Sequence, residues 1–240
     1  MLDLSSARVF VITGAGISAE SGIPTFRGKD GYWRNLDPTK LATPEAFARD
    51  PELVWDWYRE RRRHIRAAQP NPAHKAIVKL ARRAREFLLV TQNVDDLHAR
   101  AGTPPDKMVQ IHGDIFVTRC SHCDFEHEHE HGSVPKCARC GAMMRPGVVW
   151  FGEMLDTHKI DAVESYLCRG ACDLVLVIGT TAVFGYIMNW AIRAARNGGE
   201  LIEINPAETQ LSSFATHCIR GPAAVALPNL IAAFNCRGRC

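Results

Sequence analysis

Five short runs of mostly apolar residues recur along the chain, and each has the length of a buried strand. They span residues 9–12, 87–91, 107–111, 173–178 and 200–204. Apolar residues that follow one another without polar alternation are typical of strands in a parallel sheet, which is covered on both faces. The pattern therefore predicts five buried strands.

Helical periodicity fills much of the chain between these runs. It predicts helices over residues 51–68, 73–85, 187–196 and 227–234. Pro51 is placed to start the first helix, and two glycines follow the third, as is usual at helix ends. Residues 28–44, rich in Gly, Asp and Pro, predict an irregular loop. Strands that alternate with helices indicate an α/β fold with a Rossmann-like, doubly wound and mostly parallel sheet.

Composition changes this picture little. The chain has 240 residues, 46% of them apolar, and can bury a sizeable core. Its net charge of +3 does not indicate a nucleic-acid partner. No segment reaches the roughly 18 consecutive apolar residues of a membrane span, and the first predicted strand begins too early for a targeting peptide. We expect a cytoplasmic monomer without a membrane partner, or a mitochondrial protein if the source is eukaryotic.

Four of the nine cysteines form two Cys-x-x-Cys pairs, Cys120 with Cys123 and Cys137 with Cys140. In an intracellular chain such pairs favour a metal over disulfides. Together they supply four thiolates to a closed tetrahedral Zn²⁺ site, which stabilises the fold and leaves no open position for chemistry. Histidines in the same segment could compete as ligands, but their alternation with glutamates favours a solvated hairpin. These histidines are His122, His127, His129 and His131.

The turn after the first strand carries Gly14-x-Gly16 and then Ala19, which fits the fingerprint of dinucleotide-binding folds. The glycines suit a tight turn close to a diphosphate, and Ala19 suits close packing of the following helix. A dehydrogenase usually carries an acidic residue about 20 positions further on, at the end of a second strand. Here Asp30 and Asp37 lie in the predicted loop. The fingerprint therefore indicates a dinucleotide but argues against a plain hydride-transfer domain.

Polar or small residues also follow the other predicted strands. They occupy positions 92–95, 112–113, 179–181 and 205–206. One polar loop would indicate only solubility, but the carboxyl ends of parallel strands lie along one edge of the sheet, where ligands bind. We interpret the set as a single cleft for a dinucleotide.

Taken together, these motifs resemble the sirtuins, which are NAD-dependent protein lysine deacylases. The resemblance is carried by GAGISAESGIPTFR at 14–27, TQNVD at 91–95 with Leu97-His98, His112-Gly113, the two zinc knuckles, RP at 145–146 and VVWFGE at 148–153. It implies a Rossmann-like NAD-binding domain over residues 1–28, 71–117 and 146–240. A small domain would combine a helical insertion at 29–70 with a zinc-binding module at 118–145.

The resemblance also implies that NAD⁺ is consumed as a co-substrate, with one structural Zn²⁺ elsewhere. Nicotinamide leaves, the acyl oxygen of the modified lysine attacks the ribose carbon, and O-acyl-ADP-ribose is released. The catalytic residues would be His112, as the general base for a ribose hydroxyl, and Asn93, which would orient the ribose. The implied cofactor-binding residues are Gly14, Ala15, Gly16, Ser18, Ala19, Glu20, Phe26, Arg27, Trp33, Gln92, Asn93, Val94, Asp95, Gly179, Thr180, Thr181, Asn205 and Ala223.

For the substrate, an acyl-lysine protein or peptide, the resemblance implies binding along a strand edge at residues 148–153. The contacts there would come from Val148, Phe151, Gly152 and Glu153. Tyr58 and Arg61 share a face of the predicted helix. In class III sirtuins this Tyr-x-x-Arg pattern, with a small residue equivalent to Ala42, recognises acidic acyl groups. A succinyl or malonyl carboxylate would pair with Arg61 and accept a second bond from Tyr58, which implies desuccinylase and demalonylase activity with weaker deacetylation.

One segment departs from the family pattern. After Gly179-Thr180 the family usually has Ser and, a few residues on, Pro, whereas this chain continues with Thr181 and has no proline through Ile187. The difference bears on the loop's shape and on contacts to the adenosine side of NAD. Three other functions stay open: a protein mono-ADP-ribosyltransferase, an oxidoreductase that uses NAD reversibly, and a zinc-ribbon binding module without catalysis.

Overall fold

The computed structural model of the protein describes residues 2–25, 37–128 and 132–236. The strands are β1 (Arg8–Thr13), β2 (Glu86–Thr91), β3 (Met108–Gln110), β4 (Gly113–Cys120), β5 (Glu126–Glu128), β6 (Met144–Val148), β7 (Leu174–Ile178), β8 (Glu200–Ile204) and β9 (His217–Ile219). The helices are α1 (Pro38–Leu41), α2 (Pro44–Arg49), α3 (Pro51–Ala67), α4 (Pro72–Arg83), α5 (Leu97–Ala101), α6 (Thr157–Cys168), α7 (Gly185–Ala194) and α8 (Ala223–Cys236). A 3-10 helix, Ala15–Ser21, follows β1, and another, Pro105–Lys107, precedes β3.

Six strands form a parallel sheet in the order β3-β2-β1-β7-β8-β9. From β1 the chain builds outward to β3, and from β7 it builds outward on the other side to β9. The strand order therefore reverses between β1 and β7, which is the topological switch point where doubly wound sheets bind ligands. The predicted α/β class and Rossmann-like sheet are confirmed.

Both faces of this sheet are covered by helices. In β1, Val9 and Val11 belong to the cluster that includes residues of α4 and α8, whereas Phe10 and Ile12 belong to the cluster with α6 and α7. All four side chains are 0% exposed. Because both alternating sets are buried, apolar residues follow one another without a break, as the sequence pattern indicates.

Capping residues determine where the first long helices begin. The carboxylate of Asp50 accepts from the N–H of Leu53 at 3.0 Å at the start of α3, and the side chain of Asn71 accepts from the N–H of Ala73 at 2.9 Å at the start of α4. Each cap is followed by proline, whose fixed φ suits the first helical position. Within the described ranges, no helix has the length and apolarity needed to cross a membrane.

A second, antiparallel sheet has the order β5-β4-β6 and carries the four paired cysteines at one end. Helices α1 to α3 pack against this sheet through an apolar cluster that includes Trp55 and Tyr58 of α3, Ile115 of β4 and Val148 of β6. The indole N–H of Trp55 also donates to the carbonyl of Met144 at 3.0 Å. β4 is continuous across the predicted domain boundary at 117–118.

Two kinds of local prediction are wrong. The segment predicted as an irregular loop contains α1 and the start of α2, which Asp37 and Thr43 cap ahead of prolines. The apolar pattern does not indicate α6 or β9. α6 buries only Val163, Tyr166 and Leu167, and β9 is a three-residue strand at the edge of the sheet.

Candidate active site

At the switch point, the loops after β1 and β7 touch with no room for side chains. Gly14 donates its N–H to the carbonyl of Ile178 at 3.0 Å, and Gly16 donates to that of Gly179 at 2.8 Å. A Cβ on Gly16 would lie 2.7 Å from the Cα of Gly179, which itself has a φ of 61°. The fingerprint glycines are therefore required by contact between two backbones. Ala19 is exposed, so the expectation that it packs closely is wrong.

Three of the predicted NAD-binding residues form a buried chain of hydrogen bonds beside these loops. The side-chain amide of Asn93 donates to Ser18 Oγ at 3.1 Å, and Ser18 Oγ donates to Asp95 Oδ2 at 2.9 Å. Ser18 follows β1 and the other two residues follow β2, so the pairing of these strands brings them together. The group offers donors and acceptors suited to ribose hydroxyls and a carboxamide.

The pKa of the Asp95 carboxyl group is shifted towards neutral pH. Burial raises its pKa to about 6, although the N–H of Leu97 and the hydroxyl of Ser18 both stabilise the carboxylate. A cationic ring placed beside Asp95 would favour the ionised form. A carboxyl group with such a raised pKa in a cleft is typical of functional sites.

Two histidines, His74 and His98, lie next to these hydrogen-bonded residues, and the sequence analysis does not predict them for the cofactor site. His74 Nε2 lies 3.5 Å from Ser18 Oγ, His98 Nε2 lies 3.1 Å from Thr13 Oγ1, and the two ring centroids are 4.8 Å apart. Burial lowers the pKa of His74 to about 4 and holds that of His98 well below its usual range. Both rings are therefore neutral at pH 7 and act as hydrogen-bonding supports.

Asn71 was also not indicated as part of the site. Its side-chain amide donates to the carbonyl of Ile17 at 2.8 Å and to Ser21 Oγ at 3.0 Å, which ties the start of α4 to the 3-10 helix after β1. The sequence does carry a signal for it. An Asn followed by Pro72 and, three residues on, by His74 is a capping arrangement, and both side-chain bonds of the capping box are present.

His112 follows β3, and two hydrogen bonds fix its ring. Nδ1 lies 2.9 Å from the carbonyl oxygen of Gln92, which can only accept, so Nδ1 carries the proton. Nε2 is then the acceptor of the neutral ring and lies 2.6 Å from the Tyr186 hydroxyl. Burial lowers the pKa of His112, and the Lys159 charge lowers it further, against the opposing effect of the Gln92 carbonyl. A neutral, oriented imidazole of this kind can serve as a general base.

The loops after β7 and β8 are joined by side chains predicted to bind the cofactor. The amide of Asn205 donates to the Thr180 carbonyl at 2.8 Å, and the amide of Gln92 donates to Thr180 Oγ1 at 2.8 Å. Ala15, Thr181 and Val94 lie half-buried in the loops of the same edge. Nearby, Glu20 accepts from the N–H of Ala224 at 3.2 Å, and the adjacent Ala223 is buried.

Tyr58 and Arg61 are buried next to each other on α3. The guanidinium carbon of Arg61 lies 4.6 Å from the ring centre of Trp57 and 5.4 Å from that of Tyr58. The Tyr58 hydroxyl accepts from the indole N–H of Trp150 at 3.0 Å. Ala42 belongs to the same apolar cluster. The structure therefore brings together the three residues predicted to recognise the acyl group.

The segment predicted to bind the peptide adjoins this cluster but is not a strand. β6 ends at its first residue, and residues 149–153 form a turn, so the predicted strand over 148–153 is wrong beyond Val148. The Glu153 carboxylate holds the turn by accepting from the N–H of Trp150 at 2.8 Å and from Arg145 Nη2 at 2.9 Å. This side chain is used inside the protein, whereas residues 151–152 are exposed.

Main-chain bonds attach this turn to its surroundings. The N–H of Val149 donates to the carbonyl of His112 at 2.8 Å, and the N–H of Phe151 donates to that of Ala42 at 2.9 Å. The turn therefore lies between the candidate base and the acyl-recognition residues.

The four cysteines fit a zinc ion. The sulfur atoms of Cys120, Cys123, Cys137 and Cys140 all lie within 4.8 Å of one another, with three pairs at 3.5 to 3.7 Å. Zn–S bonds of about 2.3 Å in a tetrahedron place sulfur atoms about 3.8 Å apart. In the described part of the chain this group includes no histidine. β4 begins one residue after His112 and ends on Cys120, so one strand connects the candidate base to the zinc site.

Phe26, Arg27 and Trp33, which the resemblance implies for NAD, lie outside the described residues, as do His129 and His131. Their roles stay predictions.

Known proteins share this arrangement. A model of the Sir2 family matches residues 14–184. The chain is 45% identical over 230 residues to NAD-dependent protein deacylase 1 of Archaeoglobus fulgidus, covering 94% of this chain and 92% of that protein. It is 44% identical over 248 residues to the NAD-dependent protein deacylase of Methylococcus capsulatus, covering 98% and 96%. A crystal structure of a Sir2 homologue in complex with NAD aligns with a TM-score of 0.88 at 43% identity, covering 97% of this chain and 91% of that one.

Proposed function

Since the chain belongs to the Sir2 family and is an NAD-dependent protein deacylase, we propose that it preferentially removes succinyl and malonyl groups from protein lysines. Acetyl-lysine would be a weaker substrate. NAD is the co-substrate, and Zn²⁺ bound by the four cysteines is structural. The acidic preference goes beyond family membership and is supported by the chain's own residues.

The residues at the carboxyl edge of the sheet have separable roles in this chemistry. We assign the general base to His112, because its Nδ1 is held by the Gln92 carbonyl and only Nε2 can accept a ribose proton. Asn93, Ser18 and Asp95 would hold the ribose and the carboxamide in a buried, prearranged polar site. Such prearrangement stabilises charge that develops as the glycosidic bond to nicotinamide breaks.

The observation that carries the acyl preference is the buried cation of Arg61, which is 6% exposed. Burial lowers its pKa, and the nearby Tyr58 phenol and Asp95 carboxylate oppose that change. A cation in an apolar cluster gains from an additional anionic partner. The terminal carboxylate of a succinyl or malonyl group supplies one, whereas an acetyl group does not.

Tyr58 supports the same preference. Its bond from Trp150 uses a lone pair of the hydroxyl oxygen, which leaves the O–H able to donate to a carboxylate. Burial raises the pKa of Tyr58, so the hydroxyl stays protonated. Together the two side chains can give one carboxylate two different donors.

The test is Arg61→Met, with kcat/KM measured on succinyl-, malonyl- and acetyl-lysine peptides by mass spectrometry of the products. Loss of one charge-assisted bond lowers desuccinylation by roughly 10- to 100-fold. Acetyl-lysine activity stays within about threefold, because an acetyl group makes no such bond. Arg63→Met, an exposed arginine on the same helix, is the matched control and changes neither activity. Equal losses on succinyl and acetyl peptides would refute the acidic preference.

The wild-type protein provides a second check on the reaction. With labelled NAD, the deacylase reaction leaves the label in O-acyl-ADP-ribose and in no protein. Label attached covalently to protein would favour the mono-ADP-ribosyltransferase alternative instead.

A further inference from the structure

A tyrosine without an assigned role contacts the base proposed above. Tyr186 is the second residue of α7, and its hydroxyl lies 2.6 Å from Nε2 of His112. It lies in the segment where this chain lacks the usual proline of the resembled family.

The chemistry of the two groups fixes the direction of this hydrogen bond. His112 Nδ1 donates to the Gln92 carbonyl, so Nε2 of the neutral ring has only a lone pair to offer. The Tyr186 hydroxyl is therefore the donor. Burial raises the pKa of Tyr186 above its usual range, so its proton is present throughout the neutral range.

A ring nitrogen has one lone pair in the ring plane, and this bond uses it. A general base needs the same lone pair to accept a proton from the ribose. The Tyr186 hydroxyl and a ribose hydroxyl therefore cannot both bond Nε2 in full. NAD can therefore bind in a reactive position only if the hydrogen bond from Tyr186 to His112 breaks.

The surroundings of Tyr186 allow such a release. Its ring stacks on Phe184 with centroids 5.6 Å apart and contacts Trp190 edge-on at 5.2 Å. Phe184 is 38% exposed, and the position of Gly185 faces open space. Tyr186 itself is half-buried, whereas Ile187 and Trp190 of the same helix are buried. Among the described residues, the charged group that acts on His112 is Lys159 of α6.

We propose that Tyr186 is a displaceable cap on His112: its hydroxyl holds the Nε2 lone pair in the NAD-free protein and yields it to a ribose hydroxyl when NAD binds. This inference rests on the proposed role of His112 as the base. Tyr186 is a positioning residue, because it acts through His112. The cap keeps the imidazole neutral and correctly turned before NAD arrives, at the expense of NAD affinity.

The test is Tyr186→Phe, which removes only the hydroxyl. NAD no longer has to break a hydrogen bond, so its Kd, measured by calorimetry without acyl substrate, falls about two- to tenfold. In the NAD-free variant the pKa of His112, followed by NMR titration of its ring, rises by about half a pH unit or more, because the donor that favoured the neutral ring is gone. The pKa seen in kcat/KM rises likewise, whereas the pKa seen in kcat stays unchanged, since the cap is already displaced in the bound enzyme.

Tyr166→Phe is the matched control. It also removes a buried phenolic hydroxyl, one that donates to the carbonyl of Val9 at 2.9 Å, and leaves the NAD Kd and the His112 pKa unchanged. Tyr186→Leu repeats the test with the ring removed as well and gives the same directions. An NAD Kd that stays the same or rises in both Tyr186 variants, or an unmoved His112 pKa, overturns the cap. The NAD Kd and the NMR titration need no turnover, so a protein that binds NAD without removing acyl groups would refute the proposed function and still decide the cap.

Discussion

The carboxyl edge of the large sheet and the zinc-bearing sheet differ in what holds them together. Around the first, the strand residues of β1 and β7 are almost fully buried in two apolar clusters that extend across the sheet. At the cysteine end of the second, the buried apolar cluster consists of Cys120, Cys137 and Met144. Two of these three residues are zinc ligands.

This difference means that the residues needed for the reaction and the residues needed for folding lie in different regions. The polar side chains at the sheet edge bond to one another and to main chain, and the two apolar clusters beneath them consist of other residues. The cysteine end of the zinc-bearing sheet depends on its ligands, because so small an apolar cluster cannot offset the entropy of ordering the chain there. Substitutions at the carboxyl edge of the large sheet should therefore abolish activity without unfolding the protein. Substitutions of the zinc ligands should unfold the region around the metal first.

The largest effect is expected on removal of the metal. Cys137→Ala leaves three thiolates and unfolds the region around residues 118–145, because structural zinc in small domains contributes about 10–16 kcal/mol of apparent binding free energy. Zinc content and hydrogen exchange of this region report the loss. Cys168→Ala, which replaces an exposed free thiol, changes neither. Full zinc binding and unchanged exchange in Cys137→Ala would contradict this view of the region.

The second-largest effect is expected for His112 at the carboxyl edge of the large sheet. His112→Gln lowers kcat for deacylation by about 10²- to 10⁴-fold, the usual contribution of a general base. Its unfolding temperature and NAD binding are retained, since His112 is not part of an apolar cluster. The control is His217→Gln at the exposed β9, which keeps wild-type turnover. Activity within tenfold of wild type in His112→Gln would remove the assignment of the base.

The smallest expected effect is a pH dependence of stability, caused by His74 beside the carboxyl edge of the sheet. His74 has a folded-state pKa of about 4 against an ordinary 6.5, so below pH 6.5 the unfolded chain binds more protons and stability falls as pH drops towards 4. Between about pH 7.5 and 5 this histidine alone lowers the free energy of unfolding by about 2 kcal/mol. Asp95, with its raised pKa, acts in the opposite direction between about pH 4 and 6.

Urea unfolding of wild type and His74→Gln at the two pH values isolates this contribution. The variant loses about 2 kcal/mol less than wild type on acidification. Equal losses in the two proteins would show that His74 does not titrate as its burial requires.

The large sheet could be predicted from the sequence because its strands are buried on both faces, and a continuous apolar run as short as that of β7 is typical of such strands. The sequence did not indicate α6, whose buried face is only three residues, or the short edge strand β9. The zinc ligands were identified from spacing alone, because two Cys-x-x-Cys pairs suffice to define a tetrahedral site.

The candidate site was predictable as a set of residues but not as a set of contacts. Strand ends carry Asn93, Asp95 and His112 to one edge, and the alternation of strands and helices implies that edge. The bond between His112 and Tyr186 joins residues 74 positions apart and depends on the direction of α7, which no local pattern encodes. The supporting histidines His74 and His98 were not predicted for the same reason.

The continuity of β4 from the residue after His112 to Cys120, with β6 as its antiparallel partner, limits how this protein can vary in length. An extra residue within β4 would rotate the side chains that follow it, up to Cys120, to the opposite face, and one within β6 would displace the turn at residues 149–153. We therefore expect insertions to be tolerated beyond the strand ends, at exposed positions such as Ser133 between the two cysteine knuckles, and not within β4 or β6.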